Sequence, residues 1–184
     1  MLLIPDIQNY FKGKDIALVG NAESVLVKSH PIDEHDIVCR INAGSPIGKE
    51  VALGTRTDVL FTGNWCLKPD VINEMAPEVV IAYYSRGEAL PPWLEADPRV
   101  YQWQGVPDLK ERLGKNPSTG LAAFYIITRL TEFKFLTLYG FDWWKTKTWH
   151  TGIKWFDSHY PEGERNFVLE NIKKEDRITI NWDV

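Results

Sequence analysis

Short apolar runs recur along this chain, and most of them stop at a glycine, asparagine or aspartate. Residues 16–20 (IALVG), 36–41 (DIVCRI), 58–62 (DVLFT), 78–84 (EVVIAYY) and 135–139 (FLTLY) are each of strand length, rich in β-branched or aromatic side chains and free of polar alternation. Two shorter runs, 100–103 (VYQW) and 177–180 (RITI), read as further strands. Strands that are apolar on both faces belong in a parallel sheet, because helices must cover each side of it. The intervening segments supply such helices. Residues 118 to about 131 place Leu121, Phe124, Tyr125, Thr128 and Leu130 along one face, behind Pro117 and a Ser118 N-cap. Further helices are expected over 70–75 and 164–173, and Pro91-Pro92 reads as a loop. The expected fold class is α/β: a single-domain Rossmann-like sandwich over residues 1–184, with a mostly parallel twisted sheet and helices on both faces.

Composition narrows the function classes. With 44% apolar and 25% charged residues among 184, the chain is that of an ordinary globular domain able to bury a core without disulfide or metal staples. A net charge of −4 without a dense Lys/Arg stripe disfavours a nucleic-acid partner held through phosphates. No apolar run approaches the roughly 20 residues of a membrane span. The first residues, MLLIPDIQNYFKGK, lack the basic start and long apolar run of an export signal, so a cytoplasmic protein without a membrane anchor is expected. Cys39 and Cys66 form no CxxC pair and read as buried free thiols in a reducing compartment.

In open α/β sheets ligands bind beyond the carboxyl ends of the strands. That rule gathers Gly20-Asn21, Asn42-Ala43-Gly44, Gly63-Asn64 and Gly140-Phe141-Asp142 onto one rim. Each is also an ordinary turn sequence, and it is the set that marks a site. The fingerprints GxGxxG and GxxxxGK[ST] are absent, as are HExxH, GxSxG and any Asp-x-Asp, the usual metal–diphosphate clamp of many sugar transferases. Gly20-Asn21 is either a plain βα turn or a cradle of amides for a single phosphate. Ser118-Thr119-Gly120 opens the best helix, as a simple cap or as an anion pocket of free N–H groups. Of four histidines, His30 and His35 sit in the polar stretch SHPIDEH and read as solvated or structural. His150 lies within, and His159 just after, a segment rich in tryptophan (Trp143, Trp144, Trp149, Trp155), where an imidazole suits proton transfer near neutral pH. The tryptophans themselves are core residues or a sugar-stacking platform.

These segments, in this order, resemble the sialyltransferases of glycosyltransferase family 29. IALVGNAESVL…IDEHDIVCRINAG…GTRTDVLF resembles the large sialylmotif, and NPSTGLAAFYIITRL…FKFLTLYGFD the small one. Trp149-His150 falls at the His of the third motif, and His159-x4-Glu164 matches the very small motif. The resemblance implies a metal-independent, inverting transferase of variant Rossmann-like (GT-A) fold, with no cofactor. It implies a CMP-sugar donor, usually CMP-sialic acid, and a glycan acceptor. Gly20, Asn21 and Asn42 would meet the CMP part, with Gly140, Phe141 and Asp142 on the same rim. Ser118, Thr119 and Gly120 would meet the donor through the anion pocket. His150 would support the leaving phosphate, His159 would be the general base, and Glu164 would be largely structural. The chain departs from the family in lacking Cys near Asp15 and Thr131, where the usual disulfide ends lie, and in lacking the Tyr-rich sequence after the third-motif His. CMP-Kdo is a rival donor, and a CMP-binding module without transfer activity is the alternative from another class.

Overall fold

The computed structural model describes residues 4–63, 68–83, 90–103, 107–152 and 159–182. Asn64, Cys66, Trp155 and the end of the fourth expected strand at Tyr84 lie outside these residues. The chain enters through α1 (Ile4–Phe11) and then alternates β1 (Asp15–Val19), β2 (Ile37–Ile41), α2 (Glu50–Leu53), β3 (Val59–Gly63), α3 (Pro69–Met75), β4 (Val79–Tyr83), α4 (Pro92–Glu95) and β5 (Val100–Trp103). It continues through α5 (Pro107–Leu113), α6 (Thr119–Leu130), β6 (Phe135–Tyr139), α7 (Pro161–Ile172) and β7 (Ile178–Ile180). The seven strands form one parallel sheet in the order β5-β4-β3-β2-β1-β6-β7. This is the α/β Rossmann-like architecture that the sequence predicts.

The pleat sorts each strand's residues between two cores. Ile16 and Leu18 of β1, Cys39 and Ile41 of β2 and Leu136 and Leu138 of β6 pack with Phe11, Leu109, Phe124 and Phe167 from α1, α5, α6 and α7. Ala17, Val19 and Val38 face the other way, onto Val25, Ile32 and Leu53. Leu60, Val80 and Val100 meet Ile72 and Met75 of α3 and Leu94 of α4 on that side. Burial on both faces is why β1 and β2 carry almost no polar residue. Apart from Asp15 at the start of β1, Arg40 is the exception, at 1% exposure. Its guanidinium donates to the carbonyls of Arg56 and Leu53 and to the Thr57 hydroxyl, tying the α2–β3 connection under β2. Burial pulls its pKa down to about 10, against the pull of Asp33 and Asp58.

Two local readings change and one open alternative is settled. Pro91-Pro92 is the start of α4 rather than a loop, since proline suits the first turn of a helix. The last helix begins at Pro161, three residues before the expected start, for the same reason. Of the two readings open for His30 and His35, the structural one holds. His30 is buried with Nε2 on the Val25 carbonyl, and His35 bridges the Asp15 carboxylate and the Tyr139 hydroxyl at 2.9 Å each. Cys39 is a buried free thiol whose pKa burial pushes well up. Among the described residues no helix is long and apolar enough to cross a membrane.

The strand order reverses between β1 and β6. The chain winds outward from β1 to β5, then returns to place β6 on the other side of β1. A crevice opens beyond the carboxyl ends at such a switch point.

Candidate active site

Glycine lets the backbones of the two halves meet at this crevice. A Cβ on Gly20 would lie 2.4 Å from the Gly140 carbonyl oxygen, and Gly140 itself has φ +65°. The Gly20 N–H donates to the Tyr139 carbonyl at 2.7 Å, and the Ala22 N–H to the Gly140 carbonyl. The segment that follows β6 is then fastened along the β1 turn. The Glu23 N–H donates to the Lys147 carbonyl, Ala22 pairs with Thr148, and the Trp149 N–H donates to the Asn21 carbonyl at 3.0 Å. His150 is brought to the Gly20-Asn21 turn in this way.

The N-terminus of α6 sits over the same rim. The space beside Gly120 Cα is bounded by Phe141 and Ile41, and that beside Gly63 by the Thr119 hydroxyl and the Asn42 amide. Asn42 has a left-handed backbone, φ +52°, which Asn tolerates better than most residues. Its Oδ1 accepts from the Gly63 N–H at 2.9 Å. Asn21 donates from Nδ2 to the Ile41 carbonyl at 2.9 Å, and its Oδ1 lies against Gly44. Both asparagines thus join neighbouring strand ends and keep part of each amide for other partners. Phe141 packs on the core beneath Gly120, and Asp142 is turned into its own loop. The Asp142 carboxylate accepts from the Thr146 N–H at 2.8 Å, the Thr146 hydroxyl at 2.5 Å and the Ser24 hydroxyl at 3.4 Å.

Glu164, in the first turn of α7, is 2% exposed. Its carboxylate accepts from the Ser118 N–H at 2.8 Å and from the Ser118 hydroxyl at 2.6 Å, while the same hydroxyl caps the Leu121 N–H. Burial pushes the carboxyl up to about 7, and the two bonds from Ser118 hold back part of that rise. Ser118 is therefore committed to Glu164. The amides of Thr119 and Gly120 have no partner inside the helix, as first-turn N–H groups do not, and they are the donors that α6 offers.

His159 stands just before α7. Its Nδ1 lies 3.0 Å from the Asn116 carbonyl, and its ring stacks on Trp144 at 5.6 Å and 19°. A carbonyl only accepts, so in the neutral ring Nδ1 carries the hydrogen and Nε2 the lone pair. Gly20, Asn21, Asn42, Thr119, Gly120, Gly140 and Phe141 thus lie in mutual contact beyond the strand ends, with His150 beside Asn21; Ser118 and Glu164 are paired behind the α6 N-terminus, His159 is tethered to Asn116, and Asp142 is turned away into its own loop.

Sequence reasoning missed Asn116 and the role of the tryptophans. Three buried polar atoms near these residues meet no hydrogen-bond partner among the described residues: Asn116 Oδ1, Trp149 Nε1 and His150 Nδ1. Burial also pushes the His150 pKa below its ordinary value, leaving the ring neutral at pH 7. An Asn-Pro pair before a helix cap was a turn signal for Asn116. Nothing local in the sequence marks an unpartnered indole N–H.

The fold is that of sialyltransferases. One solved structure, of a mammalian sialyltransferase, superimposes with a TM-score of 0.61, covering 92% of this chain and 69% of that one at 19% identity. A second, a mammalian sialyltransferase in complex with Gal-beta-1-3GalNAc-ortho-nitrophenol, gives 0.59 over 96% of this chain and 72% of that one at 18% identity. No family model and no curated protein matches the chain in sequence.

Proposed function

We propose that the chain is a glycosyltransferase of the sialyltransferase type, a relative of glycosyltransferase family 29 that works on a CMP-linked keto-sugar acid, sialic acid first among them. The observation that carries this reading is the joining of His159 to the α6 N-terminus. Its ring is held by Asn116, two residues before Ser118, and Ser118 is held by Glu164, five residues after His159. A base and a set of anion-binding amides share one scaffold there.

In this reading the acceptor hydroxyl gives its proton to Nε2 of His159. Its oxygen bonds the anomeric carbon from the face opposite the phosphate. The carbon–oxygen bond to CMP breaks, and its electron pair leaves on the phosphate oxygen, so configuration inverts. The new charge on CMP meets the Thr119 and Gly120 amides and an N–H of neutral His150. One monophosphate leaving group is within the reach of these donors, so the reaction calls on neither metal nor cofactor. Asn21 and Asn42 contact the CMP part with the amide atoms that the fold leaves over. The protein acts as a soluble cytoplasmic enzyme on a glycan.

The test is CMP binding by calorimetry with and without chelator, followed by CMP release from CMP-sialic acid with a galactoside acceptor. Gal-beta-1-3GalNAc-ortho-nitrophenol, which one fold neighbour holds, is the first acceptor to try. CMP binding that survives chelation, with acceptor-dependent release, supports the proposal. Absence of CMP binding, or release only with a divalent ion, overturns it. The same release assay with CMP-Kdo separates the two donors.

A further inference from the structure

The turn that follows Thr148 carries two aromatic rings, and each holds a polar atom that folding leaves unused. The Trp149 N–H donates to the Asn21 carbonyl at 3.0 Å and Ala22 pairs with Thr148, so this turn rides on the end of β1. The Gly152 N–H donates to the Thr148 carbonyl at 2.8 Å and closes it. The apolar body of the Trp149 indole packs against the core that contains Ala17, Val19 and Val25. Packing accounts for the ring but not for its Nε1–H, which is buried and meets no acceptor among the described residues. A phenylalanine could fill apolar space without that donor, whose burial carries a desolvation penalty in the free protein. The neighbouring ring, His150, lies 5.3 Å away at 67°, and its Nδ1 is buried and unmatched as well. Two idle nitrogens on consecutive residues thus stand beside the Gly20-Asn21 turn, where the crevice of the sheet opens.

We infer that the Trp149 indole N–H is a second phosphate-binding donor beside His150, and that the pair gives the site its preference for a nucleoside monophosphate over the bare nucleoside. The inference rests on the proposal that this rim holds CMP. An indole N–H can only donate, so its partner must carry an acceptor. Nδ1 of a neutral imidazole donates in one of its two tautomers, and an acceptor-only oxygen at that nitrogen selects this tautomer. A phosphate presents several acceptor oxygens and can serve two rings this close. Hydrogen bonds to an anion are about twice as strong as neutral ones, and an indole N–H that is already buried loses no further hydration when the ligand arrives. A trapped water is the rival occupant. It would satisfy both nitrogens, and loss of the indole N–H would then leave ligand affinity untouched.

The experiment removes the N–H and keeps the shape. Trp149 is replaced by 3-benzothienylalanine, in which sulfur stands where the indole carries N–H, and Trp149→Phe is the second variant. Binding of CMP and of cytidine is measured by calorimetry on the full chain, and melting temperature is measured without ligand. The expected result is a loss of roughly tenfold in CMP affinity in both variants, with cytidine affinity within about twofold of the wild type. The benzothienyl variant should melt no lower than the wild type, because no bond within the protein is lost. The indole 1H–15N signal of Trp149, identified by its absence from Trp149→Phe, should move on addition of CMP and stay in place with cytidine. Full CMP affinity in the benzothienyl variant, the mark of a trapped water, overturns this inference alone. A lower melting temperature of that variant does so too, since the N–H then serves the fold. A wild type that binds CMP and cytidine equally well overturns the preference for phosphate. A wild type that binds neither overturns the CMP reading itself, and this inference with it.

Discussion

His35 and His150 are imidazoles set into one protein in opposite ways. His35 has both ring nitrogens matched, to Asp15 and to Tyr139, in a segment that links β1, β2 and β6. His150 lies on the turn fastened to Asn21, with a buried Nδ1 that meets no polar partner among the described residues and a pKa that burial pushes down. A buried nitrogen without a bond costs on the order of 1–3 kcal/mol, so folding alone does not account for it. His35 is completed by its own chain, and His150 has bonding capacity left over. That difference, more than the presence of histidine, separates a structural cluster from a candidate site.

The comparison breaks or sharpens through four variants. His159→Ala carries the largest expected effect, a loss of roughly 10²–10⁴-fold in CMP release with CMP affinity nearly unchanged. Retention of turnover would move the base elsewhere.

Glu164 comes next. Its carboxyl titrates near 7 in the fold against an ordinary 4.5, so the folded state holds the proton more tightly than the unfolded one. Stability from this group is complete below about pH 4.5 and is lost as pH rises through about 7, by up to roughly 3 kcal/mol. Glu164→Gln, which can still bond Ser118, should flatten that slope in denaturant melts taken across this range. An unchanged slope would mean that another group causes it.

His150→Gln should weaken CMP by roughly tenfold, the worth of one charge-assisted hydrogen bond. The phosphate anion should raise the His150 pKa from its lowered free value. Wild-type binding then takes up a proton and strengthens as pH falls toward that lowered free value. The difference between wild type and variant, measured by calorimetry at several pH values, isolates this from the titration of CMP itself. His35→Phe should show the reverse pattern. It removes a bond from the buried Tyr139 hydroxyl, while the half-exposed Asp15 carboxylate turns to water. The expected cost is about 1–2 kcal/mol of stability, with turnover per folded molecule intact. A catalytic defect there without a stability defect would erase the distinction between the two regions.

Most of the fold was legible. A strand buried on both faces must be apolar at every position, so β1 through β6 announced themselves within one residue or so. The rim was legible as well, because Gly20 and Gly140 stand where two backbones touch and no other residue fits. Short helices such as α2 and α4 were not, since four residues carry no period to read. The pairing of Ser118 with Glu164 joins residues 46 apart, and no local pattern reports it. The left-handed backbone of Trp143 and Trp144 was invisible for another reason. Their conformation is imposed by the loop's clamps against their own preference, and sequence propensity reports only the preference.

The bonds that fasten the post-β6 segment to the β1 turn run between main-chain groups: Gly20 to Tyr139, Ala22 to Gly140, Glu23 to Lys147 and Asn21 to Trp149. Such stitching is blind to side-chain identity, apart from the two glycines that let the strands touch. Substitutions can accumulate along this seam without displacing the histidine it carries. A lineage can then rewrite nearly all of its lettering and keep the seam, which accords with a shared architecture at 18–19% identity.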